Sequence, residues 1–261
     1  MKVSVKYAIS RFIHGRIDEV KDEVAVETPI AIYINGKRLR VLYVTPQELV
    51  ELAIGHLITE GFIKNLEEVI RIDVKDSEAH IEASTTVEER IKLHNAKVID
   101  TVKTMCGHSS EELVENLPAK RVQSNIQWPL NEIFKLVGKL NLDASLYRRT
   151  GGVHAALIAD TMGMKILCED VGRHNAVDKA VGAYALRESP YFNHTLLVCS
   201  GRLSSEIVLK VARVGIPILA SISAPTSLGV SLATQLGVTL IGFMRGSRCN
   251  IYTHPERLTL T

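Results

Sequence analysis

Within Cys106-Gly107-His108-Ser109-Ser110 the sequence places a cysteine in a polar stretch, the setting a nucleophilic thiol needs. A thiol reacts as its thiolate, which requires access and a lowered pKa, and His108 two residues on is a group that can supply the second. Taken alone, a single cysteine in such a stretch is weak evidence for chemistry. The others of the four cysteines, Cys168, Cys199 and Cys249, lie in or beside apolar stretches, where a buried reduced thiol is the ordinary outcome. The four are far apart and show no metal-type pairing, so no metal site is expected. A second chemistry, anion binding, is suggested by polar clusters that follow apolar runs: Glu169-Asp170-Val171-Gly172-Arg173-His174-Asn175, Ser200-Gly201-Arg202-Leu203-Ser204-Ser205 and Ser221-Ile222-Ser223-Ala224-Pro225-Thr226-Ser227. Phe243-Met244-Arg245-Gly246-Ser247-Arg248 comes after the next such run. Any one cluster reads equally as a helix cap and a turn. Their succession, with Arg173, Arg202, Arg245 and Arg248, favours a site for a phosphorylated ligand. Gly151-Gly152-Val153-His154 opens a further strand, where paired glycines allow close backbone approach or simply a turn.

The elements that must carry these residues divide the chain at about residue 100. Before it, Met1–Tyr7 alternates like a strand, and 24–35 is a second strand ending in the hairpin signal Asn35-Gly36, with 38–42 returning. Thr45-Pro46-Gln47-Glu48 predicts an N-cap at Thr45 and proline at the first helical position, with the helix running to Gly61. Strands are expected at 68–75 and 78–84. Residues 101–128 lack sustained apolar periodicity and predict a long mobile connection carrying Cys106. From Pro129 the pattern alternates. Helices are expected at 130–142, 173–187, 204–214 and 227–236, and strands at 153–158, 165–168, 196–199, 216–222 and 238–244. The predicted class is α/β: an N-terminal α+β subdomain (1–100), the connection (101–128), and an α/β domain with a mixed sheet (129–261). Open α/β sheets take ligands at the carboxyl ends of their strands, and helix N-termini there offer N–H groups to anions.

Bulk properties exclude other classes. The 261 residues are 46% hydrophobic and 23% charged, ample for a core without disulfides or a structural metal. A net charge of +2, from 31 basic and 29 acidic residues, argues against a nucleic-acid or membrane-surface partner. The start lacks a signal-peptide apolar region and no run reaches the roughly 18 apolar residues of a membrane span. With unpaired cysteines, the expected location is a reducing cytoplasm.

These motifs together resemble the FdhD/NarQ family, the formate dehydrogenase accessory sulfurtransferases. The resemblance runs from Asp22–Pro29 through Asn35-Gly36, Thr45-Pro46 and Gly55–Gly61 to Gly151–Ala156, Glu169–Lys179, Ser200–Glu206, Ser223–Thr226 and Gly242–Gly246. It implies a cytidine-deaminase-like carboxyl half, a homodimer, and a sulfur carrier. Such a carrier takes sulfur from a cysteine desulfurase as a persulfide on Cys106. It passes the sulfur to Mo-bis(molybdopterin guanine dinucleotide), or the tungsten equivalent, before the cofactor enters formate dehydrogenase. It also implies that Phe243, Met244, Arg245, Gly246, Ser247 and Arg248 bind that cofactor. The family's loop motif is CxxC, and here Ser109 stands where the second cysteine would be. That departure leaves sulfur acceptance intact and removes a resolving thiol.

Two rival functions follow. A hydrolytic deaminase needs H-x-E and P-C-x-x-C; His154-Ala155-Ala156 lacks the glutamate and Pro225–Gly229 lacks both cysteines. A non-catalytic chaperone of the cofactor or of the apo-dehydrogenase is the second, and Ser109 keeps it in play.

Overall fold

The structure is a computed structural model that describes residues 1–92, 119–188 and 190–260. Cys106, His108 and Ser109 lie outside the described residues.

The chain opens with a hairpin of β1 (Ser4–Ile13) and β2 (Arg16–Ala25) turning through His14-Gly15. The expected strand over 24–35 is therefore two elements, the end of β2 and β3 (Thr28–Ile34). β4 (Lys37–Val44) returns across Asn35-Gly36, both with positive φ (47° and 76°), as the type I′ signal requires. β5 (Val69–Lys75) and β6 (Glu78–Ala83) complete a sheet of order β4-β3-β6-β5. Ile30, Ile32 and Ile34 of β3 share one face, by the period of two, and bury it.

α1 (Leu49–Thr59) starts later than expected. Thr45 is not its N-cap; Glu48 is, at φ 53° and with no side-chain cap bond. Thr45 is instead consumed by the second half of the chain. Its N–H donates to Asp170 Oδ2 (3.0 Å), its Oγ1 accepts from Val171 N–H (3.1 Å), and its carbonyl accepts from Lys179 Nζ (3.0 Å). A tertiary use of all three polar groups outweighs the local capping preference.

After β7 (Trp128–Pro129) come α2 (Leu130–Asp143), α3 (Ser145–Thr150) and the hairpin β8 (His154–Asp160) and β9 (Lys165–Asp170). Then follow α4 (Arg173–Ala185), β10 (Thr195–Cys199), α5 (Ser205–Val214), β11 (Ile218–Ser221), α6 (Ser227–Leu236), β12 (Thr239–Arg245) and β13 (Arg248–Thr253). β14 (Leu258–Thr259) pairs back on β7. The larger sheet has the order β13-β12-β11-β10-β8-β9 and is mixed, as expected. β10, β11 and β12 are parallel, and β8 and β13 run against their neighbours. β9, antiparallel to β8, shares the direction of β10.

β10 shows why its sequence is uniformly apolar. Leu196 and Val198 enter the layer under α2, while Leu197 and Cys199 enter the opposite layer with α1, α4, α5 and α6. A strand covered on both faces needs no polar alternation, and each fully buried aliphatic side chain contributes about 1.5–3 kcal/mol. The layer under α4–α6 is continuous with the apolar face of the smaller sheet, so one core joins the two halves.

The last residues of the expected mobile connection are anchored. Val122 N–H donates to Leu236 O (2.8 Å), Ser124 Oγ donates to Asn193 O (2.7 Å), and Ile126 is buried. Among the described residues no helix is long and apolar enough to cross a membrane.

Candidate functional site

The pairing registers bring the polar clusters to one edge of the six-stranded sheet. His154 pairs with Asp170, Ala156 with both Cys168 and Cys199, Cys199 with Ser221, and Ala220 with Ile241. The carboxyl ends of β9, β10, β11 and β12 therefore lie together beside the amino end of β8. α4, α5 and α6 begin at this edge, presenting their N–H-rich ends.

The string Glu169–Asn175 is mostly machinery for placing Arg173. The Glu169 carboxylate accepts from Leu146 N–H (3.0 Å) and Tyr147 N–H (2.7 Å), capping α3 from across the chain. Asp170 is saturated. Its Oδ1 accepts from Gly172 N–H (2.8 Å) and Asn175 Nδ2 (2.9 Å), and its Oδ2 from Thr45 N–H (3.0 Å). Lys179 Nζ, fully buried like Asp170, adds an ion pair at 2.7 Å and also donates to Thr45 O and Glu169 O. Asn175 Nδ2 also donates to Tyr43 O (2.8 Å). A Cβ at Gly172 would sit 2.6 Å from that same nitrogen, so any other residue there would push the Asn175 amide off its partners.

Arg173, at the first turn of α4, lies across Gly201, where an added Cβ would meet its Cβ at 3.0 Å and its Cδ at 3.2 Å. Its Nε–H is buried and has no acceptor among the described residues. Ser204, the N-cap position of α5, makes no capping bond and its hydroxyl is likewise buried without a partner. His154 Nδ1 is 3.1 Å from Ser200 Oγ, which accepts from Ala155 N–H (3.0 Å); the serine proton is then available to Nδ1. Burial, and then the nearby Arg173 charge, lower the His154 pKa and favour neutral imidazole. His174 Nε2 lies 3.1 Å from Glu206 Oε2. Ser221 Oγ donates to Gly201 O (2.7 Å) and accepts from Ser223 N–H (2.9 Å), bracing the β10 and β11 ends against each other. Thr226 Oγ1 does cap α6, accepting from Gly229 N–H (3.2 Å).

Phe243 to Arg248 form the far end of this edge. Between Gly242 and Arg245 the β12–β13 register shifts, and Phe243 takes φ 53°. A bulky residue in the left-handed region is strained by about 1–3 kcal/mol. The conformation is held by Phe243 N–H donating to Ser223 O (3.0 Å) and by Met244, which is fully buried under α2. Phe243 is left on the surface, and Arg245, Gly246, Ser247 and Arg248 are exposed on the hairpin turn. The structure thus gathers Arg173, His154, Ser200, Arg202 and Ser204 with the Phe243 bulge along one edge, and places Arg245 and Arg248 on its rim. Cys106 lies outside the described residues. Sequence reasoning gave no role to Gly201, whose missing side chain makes room for Arg173. A glycine following a serine at a strand end carries no signal distinguishing that use from a turn. Among the described residues no three His, Cys, Asp or Glu side chains converge as metal ligands.

Comparison with known proteins agrees along the whole chain. A family model described as the FdhD/NarQ family matches residues 25–259. A protein of Shouchella clausii named sulfur carrier protein FdhD is 38% identical over 261 residues, covering 97% of this chain and 96% of its own. One of the same name from Staphylococcus aureus (strain MRSA252) is 34% identical over 260 residues, covering 98% and 97%. A crystal structure titled as a putative formate dehydrogenase accessory protein from Desulfotalea psychrophila superposes with a TM-score of 0.78. It is 29% identical, with 99% of this chain and 100% of that one covered.

Proposed function

This chain belongs to the FdhD/NarQ family, and from that membership we propose that it is a sulfur carrier serving formate dehydrogenase. Its sulfur-bearing residue is Cys106 and its cargo is Mo-bis(molybdopterin guanine dinucleotide) or the tungsten form. The names of its relatives support the carrier role. The observation that supports cargo binding is the strand-end edge, where buried donors on Arg173 and Ser204 have no partner among the described residues and lie beside helix N-termini. Those features suit the pyrophosphate groups of a dinucleotide.

In the first step the Cys106 thiolate attacks the outer sulfur of a cysteine desulfurase persulfide. The donor's S–S bond breaks, the donor cysteine leaves as thiolate, and Cys106 carries the persulfide. Releasing that sulfur to the metal as sulfide takes two electrons. With Ser109 in place of a second cysteine, an external thiol reductant supplies them. The partners in this reading are the desulfurase, formate dehydrogenase and a second copy of the chain.

Ser109 is also the observation favouring a chaperone that binds the cofactor without moving sulfur. Incubation with a desulfurase and cysteine, followed by mass spectrometry, separates the two. The carrier gains 32 Da on the peptide containing Cys106 (one sulfur, about 32 Da by mass). Absence of that mass with an active, matched donor would leave the chaperone reading.

A further inference from the structure

A cavity of about 860 Å³ opens at the opposite, amino edge of the six-stranded sheet, away from the strand-end site. It is bordered by the ends of α1, α4 and α5 and by the residues just before β10. Its wall carries Lys64, Arg90, Lys120, Arg121, Arg187 and Arg213, with Glu67 as the carboxylate among them. In a chain whose net charge is only +2, such an excess is a local concentration rather than a sample of the surface.

Part of this charge has a structural use. Arg90 is paired with Glu68 (2.8 Å), and Arg213 Nη1 donates to Thr59 O (3.1 Å) at the end of α1. The remainder does not. Lys64, Lys120, Arg121 and Arg187 donate no side-chain hydrogen bond to any described residue. Arg213, whose side chain is 9% exposed, has a buried Nε–H with no acceptor among the described residues, and its Glu60 partner is 3.6 Å away. Leaving a buried guanidinium donor unmet is unfavourable, and an anion entering the cavity would relieve it by reorienting the fork. The rest of the wall is mostly apolar, with Ile63, Leu66, Val122, Phe192 and Val214, and Asn65, Gln123 and Asn193 add uncharged polar groups. The volume falls in the usual range for small-molecule sites, which combine an apolar lining with a few charged groups.

We propose that this cavity is a second binding site, taking a small phosphorylated ligand with an attached ring, of the nucleoside diphosphate class. The arginines and lysines hold the phosphates and the apolar wall holds the ring. This site does not depend on the sulfur-carrier reading.

Calorimetry on the full chain with ADP, pyrophosphate and adenosine tests it. ADP binds, and adenosine and pyrophosphate each bind at least about tenfold more weakly, since each keeps half of the recognition. Arg213→Met weakens ADP at least about tenfold. In case that variant folds poorly, the exposed pair Lys64→Glu with Arg187→Glu gives the same loss without touching the core. Arg173→Met, which removes only the heat of ADP held by its diphosphate at the strand-end site, leaves the cavity's own ADP affinity changed by less than about twofold. No heat with millimolar ADP, adenosine binding as tightly as ADP, pyrophosphate binding as tightly as ADP, or loss of binding in Arg173→Met rather than in the cavity variants would each overturn the proposal.

Discussion

Gly55 of α1 and Gly182 of α4 face each other across a helix crossing that leaves no room for a methyl group. A Cβ at Gly55 would lie 1.7 Å from Asp178 O, and one at Gly182 would lie 1.9 Å from Glu51 O. The clashing atoms are backbone, so no rotamer change relieves them. Through this crossing the first half of the chain is docked on the helix that carries Arg173. Gly55→Ala or Gly182→Ala is expected to cost more than about 3 kcal/mol, the upper end of ordinary overpacking. Urea denaturation measures this, and a loss below about 1 kcal/mol would show that the helices separate cheaply.

The Asp170–Lys179 pair makes a second test of that docking. Both side chains are wholly buried and every Lys179 proton is used. Breaking one partner strands the other charge, so Lys179→Met is expected to destabilise by about 3–5 kcal/mol. The loss should appear in stability and in any assay of the strand-end site together, because Asp170 also sets the turn into α4.

Acid should act through the charged seam between α1, α4 and α5. Asp178 is buried and Glu60 partly buried, which by itself raises a carboxyl pKa, but Lys210 and His56 outweigh burial and bring each to about 2. Lys210 Nζ is 2.7 Å from Glu60 and 2.9 Å from Asp178, and Thr59 and Arg213 border the same group. Because the folded values lie below the ordinary 4.5 and 3.8, the stabilisation is complete above the ordinary values. It is lost as pH falls toward about 2. Glu60→Gln should be less stable than the parent at pH 7 by on the order of 2–3 kcal/mol. The gap should close as pH falls through that window, as read by denaturant titrations at stepped pH. A gap that stays constant with pH would remove Glu60 from the seam's electrostatics.

Cargo binding is tested with GDP as a fragment. Arg173→Met and Arg245→Ala should each weaken GDP at least about tenfold, the value of a charge-assisted contact. Gly201→Ala should weaken it as well, by pushing Arg173 off its path. Absence of GDP binding by the parent at millimolar ligand would count against the edge as a dinucleotide site.

The two buried cysteines, Cys168 and Cys199, should stay silent in sulfur loading. Burial raises the Cys168 thiol far above its ordinary value, with Glu48 adding to the effect, and raises Cys199 to about 11. Iodoacetamide at pH 7.5 (about neutral, where thiolate is scarce for such groups) should leave both unlabelled in the folded chain. Labelling of either at a rate near that of a free thiol would show that its strand opens readily.

The sequence by itself determined the elements whose cause is local. The Asn35-Gly36 turn needs two positive φ values that few dipeptides tolerate, and the doubly apolar strands β10 to β12 can only be covered on both faces. With strand, helix and polar cluster alternating, the strand-end edge was also foreseeable, because parallel strands deliver their carboxyl ends to one side. The motif residues and the resemblance they carry were legible too, Ser109 in the second cysteine's place included. What only the tertiary structure decided is how those residues are spent. Thr45 has the type and spacing of an N-cap, yet its groups go to Asp170, Val171 and Lys179. Glu169 caps a helix more than 20 residues before it, and Gly55 matters for a backbone carbonyl in α4. These interactions join residues roughly 20 to 130 positions apart, so no window along the chain contains both partners. Their energies come from desolvation and close packing, which exist only once the two sheets share a core.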